Sequence, residues 1–92
     1  MIRSFRNRDA ESLFRGDPTR RFQAIARIAQ RKLIQLHAAQ RLEDLLAFPG
    51  NHLEALGGDR RGQHSIRIND QFWICFVWRN GDAERVEVVD YH

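Results

Sequence analysis

The dipeptide Asn80-Gly81 constrains this chain most. It lies between two strand-like runs, Phe72–Trp78 and Glu84–Asp90. Asn-Gly accepts the two positive φ angles of the tight turn that joins neighbouring antiparallel strands. Phe72–Trp78 is apolar on both faces, which suits a central strand. Just before it, His64-Ser65-Ile66-Arg67-Ile68 alternates, and Asn69-Asp70-Gln71 fits a short hairpin loop. The last third of the chain therefore predicts a three-strand antiparallel meander.

The first half carries a different period. Ile2-Arg3-Ser4-Phe5 alternates briefly and reads as a first strand. Gly16-Asp17-Pro18 predicts a helix start, since Asp can cap free amides and Pro suits the first helical position. From there Phe22, Ile25, Ala29, Leu33 and Leu36 recur at steps of 3, 4, 4 and 3. That spacing makes one apolar stripe on a helix of about five turns. A second helical stretch is expected near Gln40–Phe48, stopping at Pro49-Gly50, followed by a glycine-bearing loop over Asn51–Gly62. The order is strand, two helices, then meander. The fold class is α+β, two N-terminal helices packed on one face of a mainly antiparallel four-stranded sheet. With 92 residues there is room for a single domain, 1–92, and no repeat is visible.

Alternation then assigns the faces. If Ile68 pairs with Phe72, then Ile66 faces Ile74, and Phe72, Ile74, Phe76 and Trp78 join them under the helices. The opposite face receives Ser65, Arg67, Trp73, Cys75 and Val77. A two-residue Asn80-Gly81 turn, with no bulge after it, adds Val86, Val88, Asp90 and His92 to that second face. Arg67, Trp73, Asp90 and His92 would then gather at one open end.

Charge and composition narrow the function classes. Residues 1–32 hold nine basic side chains against three acidic ones, and residues 33–92 hold six against nine. Fourteen of the fifteen basic residues are Arg; Lys32 is the exception. A basic amino-terminal third favours a phosphate backbone or an acidic partner, although a solvated helix face explains it equally well. No apolar run approaches the roughly 20 residues that span a bilayer, and the start lacks the apolar segment of a secretory signal. A lone Cys75 excludes an internal disulfide framework and a cysteine-rich zinc site. The expectation is a small, reduced, cytoplasmic protein with no membrane partner.

The residues also carry a resemblance. Leu53-Glu54-Ala55-Leu56, Gly58-Asp59-Arg60, Gly62, His64 through Gln71, Cys75-Phe76 and the closing Val88-Val89-Asp90-Tyr91-His92 resemble the HigB branch of the RelE/ParE toxin superfamily. Ile2-Arg3-Ser4-Phe5 and Arg31-Lys32-Leu33 fit as well, so the resemblance covers essentially the whole chain. It implies a RelE-like fold and the toxin of a type II toxin–antitoxin pair. Such a toxin is a ribosome-dependent mRNA endonuclease that inhibits translation and arrests growth. It uses the RNA 2′-hydroxyl as nucleophile and needs no metal or cofactor. The implied partners are a HigA-like helix-turn-helix antitoxin in a hetero-oligomer, the ribosome with its mRNA, and operator DNA only through the antitoxin.

The resemblance also suggests roles for particular residues. His92 matches the family's terminal histidine and is the leading candidate for proton transfer, because imidazole titrates near neutrality. Tyr91 and Asp90 complete the catalytic candidates. Arg60, Arg61, His64, Arg67 and Trp73 are the RNA-binding candidates. The Arg20, Arg27 and Arg31 stripe is a solvated face, a ribosomal RNA contact or an antitoxin docking surface.

The departures matter equally. Related toxins carry an Arg where this chain has Trp73, and some have His and Lys where it has Glu54 and Gly57. Trp73 cannot offset charge on a phosphorane, and losing one such contact costs roughly 10²–10³ in rate. The expectation is an attenuated nuclease. The alternative is a non-catalytic binding protein on the same scaffold, poisoning another target as ParE relatives do, or serving in an antitoxin–operator complex.

Overall fold

The computed structural model describes residues 1–90. It contains helices α1 (Arg8–Arg15) and α2 (Ala26–Ala38) and strands β1 (Glu54–Ala55), β2 (Gln63–Arg67), β3 (Trp73–Arg79) and β4 (Asp82–Val89). The strands form one antiparallel sheet in the order β1-β2-β3-β4. α1 packs on α2 and β4, and α2 on β4. A continuous core of Leu13, Phe22, Leu33, Leu36, Ile66, Ile74, Phe76, Val86 and neighbours lies between the helix layer and the sheet.

The class and layering are as expected, but two members differ. α1 is one of the two helices, and the sequence pattern did not single it out. Asn7 caps it by accepting from the Ala10 amide at 3.0 Å. Gly16, at φ 81°, closes its other end, where the Gly16 and Asp17 amides donate to Leu13 and Ser12. Gly16-Asp17-Pro18 is thus the exit from a helix rather than the start of one. A 3₁₀ turn at Gln23–Ile25 precedes α2, so α2 is shorter than the stripe suggests. The stripe itself is core, with Phe22, Ile25, Ala29, Leu33 and Leu36 all buried. The stretch expected as a second helix is a 3₁₀ turn, Leu42–Ala47. At its start Asp44 accepts from the Gln40 and Arg41 amides, which competes with α-helical pairing.

Likewise, Ile2–Phe5 is not a member of the sheet. It runs parallel to β4 through single bridges, Ile2 to Ala83 and Phe5 to Val86. The fourth strand is β1, from the segment expected to be loop. The break between those bridges falls at Glu84-Arg85, where β4 bulges. Arg79 pairs with Asp82 across Asn80 (φ 53°) and Gly81 (φ 82°), giving the expected two-residue turn. Val77 still opposes Glu84, but Cys75 opposes Glu87 and Ile74 opposes Val88. One extra residue, with Arg85 at φ 52°, has entered the strand. Every side chain after it changes face. Val86 and Val88 therefore join the core instead of the outer face, and Glu87 takes the place expected for a valine.

Candidate functional site

The β2–β3 pairing is the one read from sequence. Ile66 opposes Ile74, Arg67 opposes Trp73, and the Ile68 amide donates to Phe72 at 2.9 Å. Asn69 holds the loop by accepting from the Gln71 and Phe72 amides, each at 2.8 Å. Arg67, Trp73 and Val89 form one row across three strands, on the face away from the helices.

At this end of the sheet the polar groups converge. The Arg67 guanidinium donates from Nε to the Asn69 carbonyl at 3.1 Å and from a terminal nitrogen to the Asp70 carboxylate. The Asp90 carboxylate accepts from Gln71 Nε2 at 3.0 Å. Arg67 and Trp73 share the outer face as expected, whereas Asp90, tied to the same loop through Gln71, follows Val88 in phase rather than Val89, so the bulge takes it off the face expected for it. Tyr91 and His92 lie outside the described residues.

Behind this end sits Lys32, buried in α2. Its Nζ donates to the carbonyl of Arg67 at 2.6 Å and of Gly50 at 3.1 Å. Burial, reinforced by Arg31 and Arg67 nearby, holds its pKa below the ordinary lysine value. Lys32 thereby fixes the backbone from which Arg67 projects.

The middle of the outer face is less open than alternation suggests. Ser65 and Cys75 are buried, and Glu87 is only 7% exposed. Glu87 Oε1 accepts from Arg60 at 2.7 Å, and its other oxygen lies 3.3 Å from Arg6. Arg60 also donates to Gln63 Oε1 at 3.1 Å. Of the RNA-binding candidates, then, Arg60 is tied to a largely buried carboxylate, whereas Arg61 is exposed in the preceding loop. His64 is on the other face. It opposes Phe76, stacks on that ring at 6.1 Å, and its buried Nδ1 has no hydrogen-bond partner among the described residues. Sequence reasoning missed Glu87 and Arg6. Their signal would have been the bulge, and a non-glycine residue at its centre hides it.

A comparison with protein families settles the kinship. The model described as RelE-like toxin of type II toxin-antitoxin system HigB matches residues 3–92. The chain belongs to the HigB-like toxins. It is 36% identical over 85 residues to a protein named Toxin HigB-1 from Vibrio cholerae, covering 90% of each chain. It is also 32% identical over 60 residues to an uncharacterized protein of Haemophilus influenzae, covering 65% of this chain and 59% of that one. As a HigB-like toxin of a type II system, it is a protein whose counterpart is an antitoxin. Among the described residues no helix is long and apolar enough to cross a membrane.

Proposed function

We propose that this toxin cleaves mRNA on the ribosome in the cytoplasm, as one folded unit over residues 1–92, and that a HigA-like helix-turn-helix antitoxin neutralises it. The RNA 2′-hydroxyl loses its proton to a base and attacks the adjacent phosphorus. The 5′-oxygen leaves and takes a proton from an acid. One product ends in a 2′,3′-cyclic phosphate and the other in a 5′-hydroxyl. His92 serves in proton transfer, Asp90 fixes or polarises its neighbour, and Tyr91 orients the RNA.

The observation that carries this reading is the Arg67–Trp73 row, at the end of the sheet whose loop also binds Asp90 through Gln71, in a chain matched by the family model through residue 92. Arg67 is the cation suited to the phosphate. Its partner Asp70 is 97% exposed, and such a pair is worth only about 0–1 kcal/mol, so an RNA phosphate can displace it. Trp73 offers a face for stacking a base but no charge, which attenuates the enzyme.

The test maps 5′ ends of translated mRNA after induction of the chain, of His92→Ala and of Trp73→Arg. Cuts are expected from the chain, loss in His92→Ala, and stronger cutting and growth arrest in Trp73→Arg. No cuts from any version would overturn the nuclease reading and favour the non-catalytic scaffold, which Trp73 already favours. If Trp73→Arg raises neither cutting nor toxicity, attenuation is the wrong account of Trp73.

A further inference from the structure

The helix layer has an unpartnered outer surface. While Ala29, Leu33 and Leu36 of α2 face the core, Ile34 on its far side is 51% exposed. Phe48, from the segment after the 3₁₀ turn, is 42% exposed. Between them runs a groove of about 610 Å³, floored by Ile34, Ala38 and Phe48 and rimmed by Arg27 and Arg31. Four of the five exposed large hydrophobic side chains among the described residues fall between positions 28 and 48. Apolar exposure is thus concentrated here rather than scattered, which marks an interaction surface.

The charges on its rim say what fits. Arg27 and Arg31 stand one turn apart and make no ion pair among the described residues, although nine pairs form elsewhere. The acidic residue lining the groove, Asp44, is already satisfied. It accepts from the Gln40 and Arg41 amides, which hold its pKa below the usual carboxylate range. The groove therefore offers an apolar floor beside two uncompensated guanidinium groups. Its complement is an amphipathic helix with an apolar stripe and carboxylates spaced by one turn.

We propose that this groove docks an acidic amphipathic helix of the antitoxin. The proposal rests on the antitoxin half of the reading above and is independent of the nuclease half. Ile34 and Phe48 anchor the helix, and Arg27 and Arg31 hold its acidic edge and set its direction. Because all four side chains are exposed, changing them leaves the fold intact, which the thermal midpoint of each variant verifies.

The experiment measures binding of the helix-turn-helix protein encoded beside this chain's gene to the full chain, by calorimetry at two salt concentrations. Ile34→Glu with Phe48→Glu is expected to weaken binding by roughly 30-fold or more, the scale of losing central anchors. Arg27→Glu with Arg31→Glu should weaken it and flatten its salt dependence, and Arg27→Lys with Arg31→Lys should retain most of the affinity. Tight binding that all variants share would overturn the groove while the antitoxin reading stands. No binding by the unaltered chain would overturn both. A dimer of this chain, broken by the same substitutions, would assign the groove to a second copy. Lost ribosome affinity with unchanged antitoxin binding would assign it to ribosomal RNA. Either outcome overturns the proposal.

Discussion

Deleting Glu84 together with Arg85 is the sharpest perturbation of this fold, because the number of residues between the turn and Val86 sets which way the end of β4 faces. With both residues gone, an unbroken ladder from the Asn80-Gly81 turn would set the present Val86 against Val77, the present Glu87 against Phe76 and the present Val88 against Cys75, whereas removing Arg85 alone would only close the bulge and leave Glu87 against Cys75. Val86 and Val88, now 0% and 4% exposed, would leave the core. Each loses about 1.5 kcal/mol or more of burial. Glu87 would enter a core lined by Ile74 and Phe76, away from Arg60 and Arg6, at a cost of several kcal/mol. The sum, about 6 kcal/mol or more, rivals the whole stability of a 92-residue domain at roughly 0.05–0.15 kcal/mol per residue. The double deletion should therefore be unfolded at 25 °C by circular dichroism. Arg85→Gly should stay within about 1 kcal/mol of the parent, since Gly adopts positive φ freely but loses more entropy on folding. A double-deletion variant melting within a few degrees of the parent would refute the reasoning, because it would mean the residue count before Val86 does not fix the facing of β4.

Four further outcomes follow from contacts already described. Lys32→Met leaves the Arg67 and Gly50 carbonyls without their donor, and should cost about 2–3 kcal/mol in urea unfolding while cutting activity falls with the displaced Arg67. Lys32 has a folded pKa below its unfolded one, so the parent gains stability as pH rises from that lowered value toward 10.5, and Lys32→Met abolishes this gain in an alkaline titration. The pKa of Asp82 is lowered chiefly by its hydrogen bond from Arg3, and that of Asp44 by the Gln40 and Arg41 amides; their contribution is present above pH 3.8 and lost as pH falls through the depressed values, so Asp44→Asn with Asp82→Asn should flatten the acid limb of a stability–pH curve. Glu87→Gln unpairs Arg60 and Arg6 and should cost about 1–2 kcal/mol, with faster amide exchange in residues 58–62 than in the parent.

The strand pairing was legible because its signals are local. Asn80-Gly81 specifies its turn through its own φ angles, and Asn69 specifies the preceding loop through its side chain. The apolar stripe from Phe22 to Leu36 named the core residues correctly even though α2 itself begins at Ala26. What the pattern could not show was whether Gly16 ends one helix or opens the next, since both readings place it at the same boundary. Nor could it reveal the bulge, because Arg85 adopts a conformation that glycine would have advertised. The Arg67–Trp73 pair survived that error. It depends on β2 and β3, which come before the bulge in the register.

The bulge also decides which arginines are available to an anion. By turning Glu87 outward it gives the outer face a buried carboxylate, and that carboxylate draws in Arg60 and Arg6. Arg60 would have to leave a partner 9% exposed before it could meet a phosphate, and the carboxylate left behind would be uncompensated. Arg67 faces no such penalty, because Asp70 stays fully hydrated when released. Two arginines that look equivalent in sequence are thus divided by the exposure of their carboxylates. Arg60 holds the loop to the sheet, and Arg67 remains exchangeable at the end where it faces Trp73 across the strand pair.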